Sequence, residues 1–145
     1  MLLPDFADLR RRFMWPAAVA AFLLAGCDQS NRKPVFPVRG HVLFQGKPAT
    51  GATVFFVPVE TDPDAIAPYG VTDENGAFTL TTYLTFDGAP AGDYIVTVRW
   101  PGPPRRPEDE TGPDRLRGRY DNPKTSKLRA TVEKKPNQIE FPLTK

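Results

Sequence analysis

Catalytic side chains are scarce in this sequence. It holds one histidine, His41, one cysteine, Cys27, and two serines, Ser30 and Ser126. A single cysteine excludes an intramolecular disulfide. A Ser-His-Asp arrangement would have to combine His41 with Ser126, because Ser30 lies in a polar stretch near the N-terminus. A zinc site would have to be completed by carboxylates around His41. The main apolar run, residues 14–24, is 11 residues long. At 1.5 Å per residue, such a helix falls short of a hydrocarbon core of ~30 Å. Charge is also weak. The net charge is +2, and removing residues 1–26, with three arginines and two aspartates, leaves 16 basic groups against 15 acidic ones. The sequence pI of 8.8 therefore does not point to nucleic acid.

Proline and glycine are plentiful, at 17 and 11. They fall between short apolar runs, which signals many turns and argues against long helices. From Val38 onward the apolar spacing is two. Val38, Gly40, Val42 and Phe44 alternate with Arg39, His41, Leu43 and Gln45. Similar alternation covers Phe78 and Leu80, Tyr94 to Trp100, Leu128 to Val132, and Ile139 to Leu143. Residues 52–58 are apolar on both faces, as in an interior strand, and residues 67–72 form a weaker strand. Turn chemistry separates them at Gln45-Gly46-Lys47-Pro48, Asp73-Glu74-Asn75-Gly76, residues 88–92 and Lys135-Pro136-Asn137. In the second of these, Asn75-Gly76 is expected to supply positive φ. The pattern predicts an all-β domain: a seven-stranded antiparallel β-sandwich.

The N-terminus reads differently. Arg10, Arg11 and Arg12 precede the apolar run, the layout of a secretory signal peptide with a short helix. An uncleaved anchor or a buried helix is the competing reading. The run is followed by Leu24-Ala25-Gly26-Cys27, which looks like the lipobox of bacterial lipoproteins. That resemblance implies a diacylglyceryl thioether on Cys27, cleavage before it, and export to a bacterial membrane, periplasmic or outer face. Two or three acyl chains anchor durably where one does not. The chain then divides into a signal peptide at 1–26, a polar tether at 27–36 and a sandwich at 37–145.

Several turn and core positions fall into a recurrent pattern. Gly40-x-Val42 is followed by Gly46-x-Pro48-x-x-Gly51-Ala52-x-Val54, Thr72-Asp73-x-x-Gly76-x-Phe78 and Gly92-x-Tyr94-x-Val96. Together they resemble the carboxypeptidase regulatory-like domain. The resemblance implies a transthyretin-like (Ig-like) sandwich and a role in folding, spacing or binding. Some transthyretin-like proteins are hydroxyisourate hydrolases, with several histidines and a C-terminal Tyr-Arg-Gly-Ser. This chain ends Phe141-Pro-Leu-Thr-Lys145 and lacks both.

No constellation of catalytic residues stands out. Asp73, Asp87 and Asp93 sit where turns are expected and where Asp bonds locally. Glycoside hydrolysis by paired carboxylates, or calcium at Asp73-Glu74-Asn75, would need more than that. His41 reads as a solvent-facing strand residue beside Arg39. In residues 101–119 five arginines meet four acids, so the segment reads as a solvated polar loop and not as a polyanion site. Candidate contact residues are Tyr83, Phe86 and Trp100, with Arg105, Arg106 and Arg117 in the long loop; Trp100 equally suits a cap on the core. The expected role is a non-enzymatic, lipid-anchored binding or structural module of the cell envelope, with no cofactor. Its expected partner is an envelope protein or cell-wall glycan. A carbohydrate-binding module with an aromatic loop platform is the alternative, and an undetected hydrolase is a further one.

The lipobox carries a direct expectation. Native protein begins at a lipidated Cys27 and partitions into detergent, and Cys27→Ala leaves the precursor unprocessed. Intact-mass analysis showing a free thiol on the native protein would overturn it.

Overall fold

The computed structural model describes residues 32–145. The expected signal peptide, its helix and Cys27 lie outside the described residues. Ten strands follow in order: β1 (Val35–Phe36), β2 (Val38–Phe44), β3 (Lys47–Pro48), β4 (Thr53–Pro58), β5 (Tyr69–Val71), β6 (Ala77–Thr79), β7 (Ala89–Pro90), β8 (Gly92–Arg99), β9 (Arg129–Val132) and β10 (Asn137–Leu143). Ten segments replace the expected seven because β1, β3 and β7 add two-residue pairings beside turns and at the chain entry. Val35 and Phe36, at the end of the expected tether, form β1 against β7.

One four-stranded sheet runs β5-β4-β8-β9. In the other, β2 is flanked by β10 and β6, with β3 pairing its far end. The two meet along one edge, where the Tyr69 and Thr81 amides exchange hydrogen bonds of 3.0 and 2.8 Å. Alternate residues point between the sheets. Val38, Val42, Val54, Phe56, Val96, Val98 and Val132 are almost fully buried, which is what period-two apolar spacing produces in a half-buried strand.

The antiparallel expectation fails at one pair. β2 and β10 run parallel through seven registered positions, Val38↔Asn137 to Phe44↔Leu143. The segment after β9 carries the chain from one sheet to the other, so β10 starts at the same end as β2. Asn137 pins that crossing. Its side chain accepts from the Glu133 amide at 2.9 Å and donates to the Lys135 carbonyl at 2.6 Å, while its own amide donates to the Pro37 carbonyl at 2.9 Å.

Two other expectations change. β4 is interior to its sheet but not buried on both faces, since Phe55 projects outward against Tyr69. In the turn after β5, Gly76 alone takes positive φ, at 73°, and Asn75 does not. There the Asp73 carboxylate accepts from the amides of Asn75 and Ala77 at 2.8 and 2.9 Å, so side-chain bonding shapes the turn.

Gly40 shows why this position in β2 must lack a side chain. A Cβ there would lie 2.6 Å from the Phe78 ring and would also collide with the Ile139 carbonyl. Tyr94 enters β8 with its hydroxyl donating to the Pro90 carbonyl at 2.7 Å. Burial pushes that hydroxyl up to about 12, with Tyr83 and Glu60 adding to the shift, so it remains a donor at neutral pH.

Two core substitutions test this arrangement. Val96→Asp places an unpaired charge at a fully buried site, a cost of several kcal/mol against about 5–15 available. Urea unfolding is expected to find it unfolded in buffer. Gly40→Val is expected to behave the same way, whereas an exposed change such as Lys47→Ala is expected to be neutral within about 0.5 kcal/mol.

Candidate functional site

The parallel pair gives the domain two distinct ends. Described residues enter through β1 at the start of β2. The opposite end, about 20 Å away along a seven-residue strand, gathers Phe44, Trp100, the 101–119 segment and Lys145. Trp100 caps this end of the core. It packs edge-on against Phe44 at 5.6 Å between centroids, and its indole N–H donates to the Thr50 carbonyl at 2.8 Å.

Residues 101–119 fold back on themselves as a hairpin. Pro101 bridges to Asp114, the Gly102 amide donates to the Pro113 carbonyl at 2.9 Å, and the Arg115 amide donates to the Trp100 carbonyl at 2.8 Å. Leu116, buried to 6% exposure, plugs the returning arm into the core. Asp114 organises the base. Its Oδ1 accepts from the amides of Trp100 and Leu116, and its Oδ2 from the amide of Gly118.

This bonding separates charges that cancel in the sequence. Asp114 is occupied by backbone amides. Glu108 and Asp109 lie 3.7 and 3.4 Å from Arg106 near the hairpin tip. Arg105, Arg115, Arg117 and Arg119 form no ion pair among the described residues. Arg115 lies over the Trp100 ring at 4.8 Å, a cation–π contact. Arg117 holds positive φ, at 55°. Two hollows result. One of about 700 Å³ is bordered by Pro103, Pro104, Arg105, Asp114, Arg115 and Arg117. A second of about 570 Å³ is bordered by Phe44, Arg115, Arg117, Arg119 and Lys145. Counting charges along the chain missed this cluster, because a tally does not say which acids are already bonded.

The other expected contact residues lie elsewhere. Tyr83 is half-buried at the chain-entry end, beneath the Arg32 guanidinium at 5.2 Å, and its hydroxyl accepts from the Lys33 amide at 3.1 Å. Phe86 is exposed, on backbone of φ 60°, in a loop held by Asp87. The Asp87 carboxylate accepts from the amides of Thr82, Tyr83 and Leu84 at 2.7–2.9 Å. Tyr83 and Phe86 therefore do not join Trp100 or the arginines. Asp93, expected in a turn, lies in β8 and accepts from the Thr131 hydroxyl at 2.6 Å. His41 is half-buried and borders a hollow of about 340 Å³ with Arg39, Asp73 and Phe86. Ser126 is buried, and its hydroxyl donates to the Val96 carbonyl in the other sheet at 2.6 Å. The structure does not bring His41 and Ser126 together. Among the described residues, no three His, Cys, Asp or Glu gather as a metal site.

No family model matches the chain, and no curated protein does. Among solved structures it is similar to a DUF3823 family protein from Parabacteroides merdae, at 12% identity and TM-score 0.44, over 77% of this chain and 46% of that one. It thus spans about half of that protein. It is also similar to a 9R-lipoxygenase from Cyanothece, at 16% identity and TM-score 0.40, over 77% of this chain and 16% of the enzyme. A third likeness is to the dioxygenase domain of a dioxygenase carbohydrate-binding protein fusion from Streptomyces, at 19% identity and TM-score 0.41, over 80% and 83% of the two chains.

Asp87 makes the loop that bears Phe86 sensitive to acid. Burial is the largest single influence and opposes ionisation, but the amides of Thr82, Leu84 and Tyr83 together outweigh it and hold the carboxyl below its ordinary value. A depressed folded-state pKa stabilises fully above the unfolded value of ~3.9 and is lost as pH falls through the lower folded one. Stability measured by urea is expected to fall below about pH 4. Asp87→Asn is expected to lose about 1 kcal/mol at neutral pH and to flatten that acid limb.

Proposed function

We propose that this chain is a non-enzymatic binding module, held to a bacterial membrane by lipid on Cys27, whose distal arginine hairpin engages an anionic partner in the cell envelope. One observation carries the reading: Arg105, Arg115, Arg117 and Arg119 surround two adjoining hollows, while three of the four acids of the segment are engaged, Glu108 and Asp109 by Arg106 and Asp114 by backbone amides. Guanidinium forks match carboxylate and phosphate oxygens in pairs. With Arg115 held on Trp100 and Arg117 on a left-handed backbone, some of the ordering cost of binding is met before the ligand arrives. The resemblance to the carboxypeptidase regulatory-like domain supports a binding or spacing role, and a carboxylated cell-wall glycan fits the chemistry.

Neutral carbohydrate is the second reading, and one observation favours it. Phe55 and Tyr69 lie side by side on the outer face of the β4–β5 pair, 38% and 46% exposed, with ring centroids 6.1 Å apart. That pair, and not Tyr83 with Phe86, forms the surface on which a sugar ring would stack.

Trp100 reports directly on the hairpin. Trp15 lies in the signal segment, so Trp100 is the only tryptophan of a chain processed at Cys27. Titration with oligogalacturonate is expected to change its fluorescence, and neutral dextran is not. The affinity is expected to fall with added salt, and about tenfold in each of Arg115→Ala and Arg117→Ala. Equal binding by wild type and the double variant would refute the arginine site. Tyr69→Ala losing neutral-glycan binding would favour the second reading.

A further inference from the structure

The large exposed apolar side chains are unevenly placed. None belongs to the 101–119 hairpin, and Val71 alone shares a register row with Arg99 at that end. Phe55, Tyr69 and Val71 occupy the outer sheet face, while Val59, Ile66, Leu84 and Phe86, all more than half exposed, sit on two loops at the chain-entry end. Val59 and Ile66 belong to the loop between β4 and β5, and Leu84 and Phe86 to the loop between β6 and β7.

The entering chain runs between these two loops and is bonded to both. Lys33 Nζ lies 3.7 Å from Glu60 and 3.3 Å from Asp62 in the first loop. The Lys33 amide and the Arg32 guanidinium both engage Tyr83, the residue before Leu84, in the second. Only four residues separate Arg32 from Cys27, five steps with a reach of at most about 18 Å. Acyl chains on Cys27 therefore hold the bilayer within reach of both loops, and insertion becomes an intramolecular event.

The second loop is built to display its apolar tips. Asp87 binds three of its amides, the Thr82 hydroxyl donates to the Gly88 carbonyl at 2.6 Å, and the Phe86 amide donates to the Thr81 hydroxyl at 3.0 Å. A bulky aromatic held at φ 60° is strained, and such strain persists only where surrounding bonds impose it. Leu84 and Phe86 end up 69% and 67% exposed. Lys33 offsets one of the three carboxylates of the first loop, Glu60, Asp62 and Asp64, and Asp87 is turned inward to amides, while Arg32 remains to meet anionic headgroups.

We propose that Val59, Ile66, Leu84 and Phe86 form a second, protein-made membrane contact that seats the chain-entry end in the headgroup–acyl boundary of a phospholipid bilayer. This rests on the reading of Cys27 as the lipid anchor. Side chains of this kind enter that boundary by about 5–10 Å. The lipid sets attachment; the loops set orientation, standing β2 away from the surface with the arginine hairpin outermost.

The test uses the full lipidated protein in vesicles of phosphatidylethanolamine and phosphatidylglycerol. In Leu84→Cys and Ile66→Cys the new residue is the one free thiol, since Cys27 is a thioether, and it is labelled with an environment-sensitive dye. Lys47→Cys, in the distal turn, is the reference. The expected result is a blue shift at 84 and 66, with at least twofold quenching by lipids brominated near the headgroup, and neither effect at 47. Dyes at 84 and 66 that match the one at 47, on protein that floats and carries the diacylglyceryl mass, would show an anchored but freely swinging domain and overturn the proposal. A blue shift without lipid quenching would assign the loops to a protein contact, such as a second copy, and overturn it as well. Protein that neither floats nor carries the added mass, and takes dye at Cys27, would overturn the anchor and this proposal with it.

Discussion

Phe56 is shared by both sheets. From β4 its ring meets Tyr94 of its own sheet at 5.6 Å, and Phe78 and Phe141 of the opposite sheet at 6.4 and 6.1 Å. Phe78 and Phe141 stack on each other at 6.2 Å. The four rings come from β4, β6, β8 and β10, so strands distant in sequence meet at one point. Each such pair adds about 0.5–1.5 kcal/mol beyond the burial of its surface. The space for this cluster exists because Gly40 in β2 offers no side chain beneath Phe78. Without a disulfide, this apolar contact is what keeps the sheets in register, and both ends of the domain inherit their geometry from it.

Much of this was legible in the residues. Period-two spacing identified the long strands because one face of each is buried and the other is not. Gly46 and Gly76 marked reversals because positive φ is cheap only for glycine. The parallel β2–β10 pair was not legible, since alternation reports which face is buried and not which neighbour a strand takes. The short pairs β1, β3 and β7 were missed because two residues carry no period.

The candidate site was legible only as separate residues. The arginines and Trp100 were visible, but their freedom from the neighbouring acids depends on Asp114 turning its carboxylate to three amides. Tyr83 and Phe86 looked alike as exposed aromatics. In the fold one is a clasp on the entering chain and the other a displayed tip, a distinction made by hydrogen bonds to backbone that composition does not record. The result is a polarised domain, apolar loops at one end and guanidinium groups at the other, with the rigid core as spacer.

The parallel pair has a mechanical consequence. β2 begins at the chain-entry end, and β10 finishes at the other end beside the hairpin. A pull applied between the start of β2 and the end of β10 acts along these strands in opposite senses at opposite ends. Their seven registered positions are loaded together in shear, whereas a hairpin pulled from its open end would unzip bond by bond. Resistance to force is governed by the rate of unfolding and not by equilibrium stability. With the anchor proposed at Cys27, a partner bearing on the end of β10 would load this pair in shear and not peel it.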